Sequence, residues 1–133
     1  MARDSGRYNL SLSDFIKPKK YGKTDYLGAF AVTADLGDNN PMLNFERDND
    51  DYNIILFKSI TDRIAEAGAE FLHEHVRKEL WGYSPNENLS KEELIKEGYI
   101  GIRPAPGYPA QPDHTEKITI FKLLNAEENI GIS

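Results

Sequence analysis

From Asp50 to about Glu79, apolar residues recur at Ile54, Phe57, Ile60, Ile64, Ala67, Phe71, Leu72 and Val76. That spacing is close to 3.6, the period of a helix with one apolar face. A segment this long makes a central amphipathic helix the spine around which a single 133-residue domain is arranged. Asp50 and Asp51 put negative charge near its N-terminus, where the helix dipole favours it. Gly68 lies in the interior and costs about 1 kcal/mol relative to Ala, which predicts a close approach by another backbone. The helix is expected to end near Trp81, with Gly82 available for a left-handed cap.

The other elements are shorter. Ser90 and Glu93 are spaced as a capping box, so a short helix is expected from there to about Glu97, before Gly98. Thr115 is the expected N-cap of a helix over 116–125, with Ile118, Phe121 and Leu124 at helical spacing. Residues 26–33 form a continuous apolar run rich in aromatic and β-branched side chains, the pattern of a strand buried on both faces. Together these predict an α+β fold, rich in helix, with the long helix packed on a small, mainly antiparallel sheet. Residues 1–9 are polar and without period, and are read as a disordered or expression-derived terminus.

Composition narrows the function. A net charge of −6 argues against a general nucleic-acid binder, whose affinity rests on Lys and Arg neutralising phosphates. No apolar run approaches the ~20 residues that span a bilayer, and no leader pattern opens the chain, so a soluble cytoplasmic protein is expected. Without cysteine there is no thiolate metal site, and His73 and His75, two apart on a helix, point away from each other. No metal bound directly by this chain is expected.

Asp62 and Glu66 are four apart and share one helix face, with His73 two turns further along; on spacing alone they read as a solvated charged face. Asp113, His114 and Thr115 are neighbours in sequence, an arrangement that suits helix capping better than a catalytic triad. Residues 101–117 hold four of the seven prolines. Proline fixes φ and restricts the residue before it, so this stretch is expected to be stiff and extended, with its backbone groups presented outward for recognition. Within it, Arg103 offers planar donors to a carboxylate, Gly107 permits close backbone approach and Tyr108 supplies a ring and a hydroxyl. Such groups suit a zwitterionic ligand with an aromatic part, although a structural turn over the core fits them as well.

The sequence Arg103-Pro-Ala-Pro-Gly107-Tyr108, followed by Pro112-Asp-His-Thr-Glu-Lys117, resembles the S-adenosylmethionine (AdoMet) signature of the activation domain of cobalamin-dependent methionine synthase. Leu12-Ser-Asp-Phe-Ile16, the 25–33 run, Ala65-Glu-Ala67 and the 81–90 stretch also fit that family, from Leu10 almost to the C-terminus. The resemblance implies a partial activation domain over 10–133, within a 5-methyltetrahydrofolate–homocysteine methyltransferase. In that family AdoMet remethylates cobalamin that has been oxidised to the inactive cob(II) form, with electrons from flavodoxin or an equivalent reductase. It implies AdoMet contacts for Arg103, Pro104, Ala105, Gly107, Tyr108, Glu97 and Glu66. It also implies that Asp62 and Asp38 receive the histidine of the cobalamin-binding domain once that histidine has left cobalt. No residue is implied as catalytic, and His114 is expected to organise the loop.

This sequence departs from the family in places. Gln111 stands where relatives often carry Cys, and Asp38 where relatives can have Glu. The family's domain extends on both sides of this chain and supplies further ligand contacts from there. An alternative reading therefore accompanies the first: a scaffold or protein-interaction fragment that does not bind AdoMet productively on its own.

Overall fold

A computed structural model describes residues 10–34, 37 and 40–132. Its regular elements among the described residues are all helical. Short 3-10 turns span Leu12–Phe15 and Lys19–Tyr21; the α-helices are α1 (Met42–Arg47), α2 (Asp51–His75), α3 (Lys91–Ile95), α4 (Glu116–Leu124) and α5 (Ala126–Ile130). The expected α+β architecture with a sheet is thus corrected: among the described residues there is no strand, and the one ladder-type pairing is an isolated bridge between Tyr108 and Gln111. Residues 26–33 have no regular structure, and Tyr26 and Leu27 are exposed rather than buried on both faces. A run of apolar residues encodes a preference for burial, but a strand also needs a neighbouring backbone for its N–H and C=O groups. That neighbour is what the sequence pattern could not supply.

The chain divides into two compact units, one of residues up to Phe30 with Gly101–Gly131, the other of Ala31–Ile100. In the second unit α2 is the long element foreseen from the period. Asp50 caps it: the Asn53 N–H donates to Asp50 Oδ1 at 3.1 Å and the Asn53 side-chain amide to Oδ2 at 2.6 Å. These donors hold the Asp50 carboxyl below its usual range, the side-chain amide contributing most. Phe45 of α1 meets Phe57 edge-on, with centroids 6.3 Å apart.

The buried face of α2 differs from the apolar stripe read in the sequence. Ile54 and Phe57 turn inward, but Tyr52, Leu56, Ile60, Ile64 and Phe71 are exposed. The inward line continues instead through Thr61, Ala65, Ala69, His73 and Arg77, small or polar residues that a hydrophobic count passes over. Gly68 meets nothing within 4 Å of where a β-carbon would stand, so the expected close backbone approach is absent. Gly68→Ala should consequently stabilise the chain by up to about 1 kcal/mol, through helix propensity alone. A urea titration showing marked destabilisation would contradict that.

After His75 the helix widens into a π-helical turn, Val76–Leu80, in which the Trp81 N–H reaches back five residues to the Val76 carbonyl at 2.9 Å. Gly82 follows at φ +70, the left-handed cap expected of it. Ser90 and Glu93 form the capping box of α3, with the Ser90 N–H donating to Glu93 at 2.8 Å and the Glu93 N–H donating to Ser90 Oγ at 3.3 Å. α3 stops at Ile95, and Glu97 then turns the chain at φ +55.

Candidate ligand-binding site

The proline-rich stretch is folded more tightly than its composition suggests. The Tyr108 N–H donates to the Ala105 carbonyl at 3.0 Å, closing a turn with Pro106 and Gly107 at its centre. Gly107 has φ +102. Proline at the second position and positive φ at the third define a type II turn, and they explain why glycine follows proline here. A second turn follows, the Gln111 N–H donating to the Tyr108 carbonyl at 2.9 Å, and the Gly107 N–H donates to the Gln111 carbonyl at 2.8 Å. The stretch is therefore not simply extended: the N–H groups of Gly107, Tyr108 and Gln111 are used internally, because the glycine reverses the chain. The Pro106-Gly107 pair was the sequence signal for this reversal.

The double turn is tied down within its own unit. The Leu12 N–H donates to the Ala110 carbonyl at 3.2 Å. Gln111 is buried, and its side-chain amide donates to Glu116 Oε2 at 2.5 Å in the first turn of α4. The residue at 111 thus has a structural task here, linking turn to helix. Ahead of α4 the capping differs from expectation: Thr115 makes no side-chain cap, and Asp113 Oδ1 instead accepts from the Thr115 N–H at 2.8 Å and its hydroxyl at 2.7 Å. Those bonds, the hydroxyl first, lower the Asp113 carboxyl below its usual range.

Of the residues singled out in this stretch, Arg103, Pro104 and Ala105 are half-buried, while Gly107 and Tyr108 are exposed. In the other unit, Asp62 and Glu66 are exposed on α2, as their four-residue spacing required. Asp62 borders a shallow hollow of about 310 Å³ shared with Val32, Thr33, Asn40, Met42 and Phe57. Glu97 is exposed and stands in the left-handed region, where a non-glycine residue carries strain of order 1 kcal/mol or more. The conformation closes α3 in a Schellman-type end: the Glu97 N–H donates to the Leu94 carbonyl and the Gly98 N–H to the Glu93 carbonyl, each at 2.9 Å. Asp38 lies outside the described residues, as does the 1–9 segment. Among the described residues, no three His, Asp or Glu side chains cluster as metal ligands would, and no helix is long and apolar enough to cross a membrane.

His73 does not share the solvated face of Asp62 and Glu66. It is buried, within a cluster that sequence reasoning missed. Arg77 is fully buried and grips Glu87 with two parallel bonds, Nε to Oε2 at 2.7 Å and Nη2 to Oε1 at 2.6 Å. Its Nη1 lies 2.7 Å from His73 Nδ1, and since guanidinium only donates, that ring nitrogen accepts. The Tyr99 ring completes the cluster, 4.3 Å below the Arg77 guanidinium and edge-on to His73 at 4.8 Å. Arg77 holds the Glu87 carboxyl below its usual range, chiefly by these hydrogen bonds, and Glu87 in turn raises the Arg77 guanidinium. A charged residue inside a helical pattern ordinarily signals a wet face, and no local rule pairs it with a carboxylate ten residues on.

A helical scaffold carrying an Arg-Pro-Ala-Pro-Gly-Tyr double turn defines the class: this chain belongs to the family of activation domains of vitamin B12 dependent methionine synthases, whose pattern matches residues 1–133. Among solved structures, it is similar to the MetH reactivation domain bound to AdoHcy, with 57% identity over 98% of this chain and a TM-score of 0.85. The chain spans 40% of the length of that solved chain.

Proposed function

We propose that this chain binds AdoMet as methyl donor for the reductive remethylation of inactive cob(II)alamin, the repair step of methionine synthase. The observation that carries the reading is the 57% identity to a reactivation domain whose structure holds AdoHcy, the demethylated form of that donor. The turn chemistry supports it. A guanidinium at 103 and a half-exposed ring at Tyr108 suit the carboxylate and the aromatic base of such a ligand.

In this reading Arg103 takes the carboxylate of the methionine moiety, and Pro104, Ala105, Gly107 and Tyr108 line the ligand. The carboxylates of Glu66 and Glu97 favour the sulfonium cation. Bound AdoMet supplies the methyl group; the chain supplies neither nucleophile nor base, and contributes by proximity and orientation. Asp62, with Asp38, receives the displaced histidine of the cobalamin-binding domain. That domain is the principal partner, and flavodoxin or an equivalent reductase delivers the electron. The chain works in the cytoplasm as part of a methyltransferase.

Titration calorimetry of the 133-residue chain with AdoMet and with AdoHcy tests this. Saturable heat is expected with both ligands. Arg103→Ala should weaken binding by about a hundredfold, the worth of roughly 3 kcal/mol for a charge-assisted pair. Absence of heat from a chain that circular dichroism shows to be helical would overturn the reading in favour of a scaffold fragment. An unchanged affinity for Arg103→Ala would move the carboxylate site elsewhere.

A further inference from the structure

His114, expected from the sequence to organise the loop, stands against the turn in a way that spacing did not announce. A β-carbon built on Gly107 would run into the imidazole of His114, meeting Cε1 and lying 2.9 Å from both Nδ1 and Nε2. The edge of the ring therefore fills the place where any other residue at 107 would carry its side chain. Glycine is required there twice over, for φ +102 and for the ring beside it. His114 is itself held at the start of α4, its carbonyl accepting from the Lys117 N–H at 3.2 Å. On the other side, the Gly107 N–H is bound to the Gln111 carbonyl, and Gln111 is tied to Glu116.

We infer that His114 is a positioning residue for the ligand turn, holding Gly107 in the backbone geometry that AdoMet recognition needs. The inference rests on the function proposed above, and adds to it a residue that does not itself meet the ligand. Glycine is the most freely moving residue of the chain, so a binding backbone centred on it loses entropy on ordering. The imidazole edge limits that freedom before the ligand arrives. Gln111 fastens the far end of the turn, and His114 braces its apex.

His114→Ala separates this role from a merely structural one. The 15N-labelled variant should keep the helical circular dichroism and, within a degree or two, the melting temperature of the parent. Its Gly107 amide should shift and lose protection against hydrogen exchange. AdoHcy affinity should fall about tenfold, as when the binding-competent turn drops to roughly a tenth of its former population. A double-mutant cycle with Gly107→Ala adds a second test: with the ring gone the new methyl has room, so the double variant should lose less affinity or stability than the two single losses combined. An unaltered Gly107 amide in His114→Ala, or strict additivity in the cycle, overturns the inference. So does unchanged AdoHcy affinity when the parent binds. If the parent gives no heat with AdoHcy, the functional reading fails instead, and the amide signal and the stability cycle still decide whether His114 braces the turn.

Discussion

Replacing Arg77 with alanine is expected to cost about 3–5 kcal/mol of stability, a large share of what a domain of this size possesses. The substitution leaves Glu87 as an uncompensated carboxylate whose side chain is 6% exposed, removes a donor from His73, and opens a void beside Tyr99. Urea unfolding followed by circular dichroism measures it, and a loss below 1 kcal/mol would show that water enters and solvates Glu87. Removing both charges with side chains of similar volume, Arg77→Met with Glu87→Leu, should restore much of the loss, because no buried charge then remains unpaired. The same pair sets an acid limit. The Arg77 hydrogen bonds hold the Glu87 carboxyl below its ordinary range in the folded state, so the folded form binds its proton less readily than the unfolded form. The stabilisation is complete well above pH 4.5 and is lost as pH falls from there through the lowered folded-state pKa. Arg77, whose guanidinium Glu87 raises above its already high ordinary value, stays charged throughout that window.

The second large effect is on binding. Gly107→Ala should reduce AdoHcy affinity by more than a hundredfold while leaving α2 and the Arg77 cluster intact. The backbone at φ +102 is costly for any residue with a β-carbon, of order 1–3 kcal/mol, and the methyl also overlaps His114. The turn can relieve both only by changing shape, so the loss should appear in affinity more than in melting temperature. Calorimetry of the variant beside Gly68→Ala, whose added methyl meets nothing, gives the comparison its control. Retained binding in Gly107→Ala would exclude the turn from the ligand site.

Much of this is legible in the amino-acid sequence. α2 announced itself by period, and the Ser90–Glu93 box and the Gly82 cap by residue type, because each depends on neighbours within a few positions. The motif at 103–108 was legible by resemblance, and Asp62 and Glu66 were known to share a face from spacing alone. What remained hidden involves residues distant in sequence. Residues 26–33 look like a buried strand, but strand formation depends on a partner that no local run encodes. The union of His73, Arg77, Glu87 and Tyr99 joins positions up to 26 apart, each unremarkable where it stands. The edge of His114 against Gly107 is a matter of tenths of an ångström, which residue identity alone does not convey.

The widened turn at Val76–Leu80 has a consequence for how this protein can change over generations. Each residue of an α-helix advances the chain by about 100°, and a π turn absorbs one residue more than an α turn. Losing a single codon there would let the helix run on regularly, yet would swing everything from Trp81 onward around the axis. Ser84, whose N–H donates to the Arg77 carbonyl at 2.9 Å, and Glu87, which clasps the Arg77 side chain, would both be carried away from it. The exposed side chains of this turn, Glu79 and Leu80, can change without disturbing that clasp, but the length of the turn cannot: the gene can vary letters of this word and must keep their number.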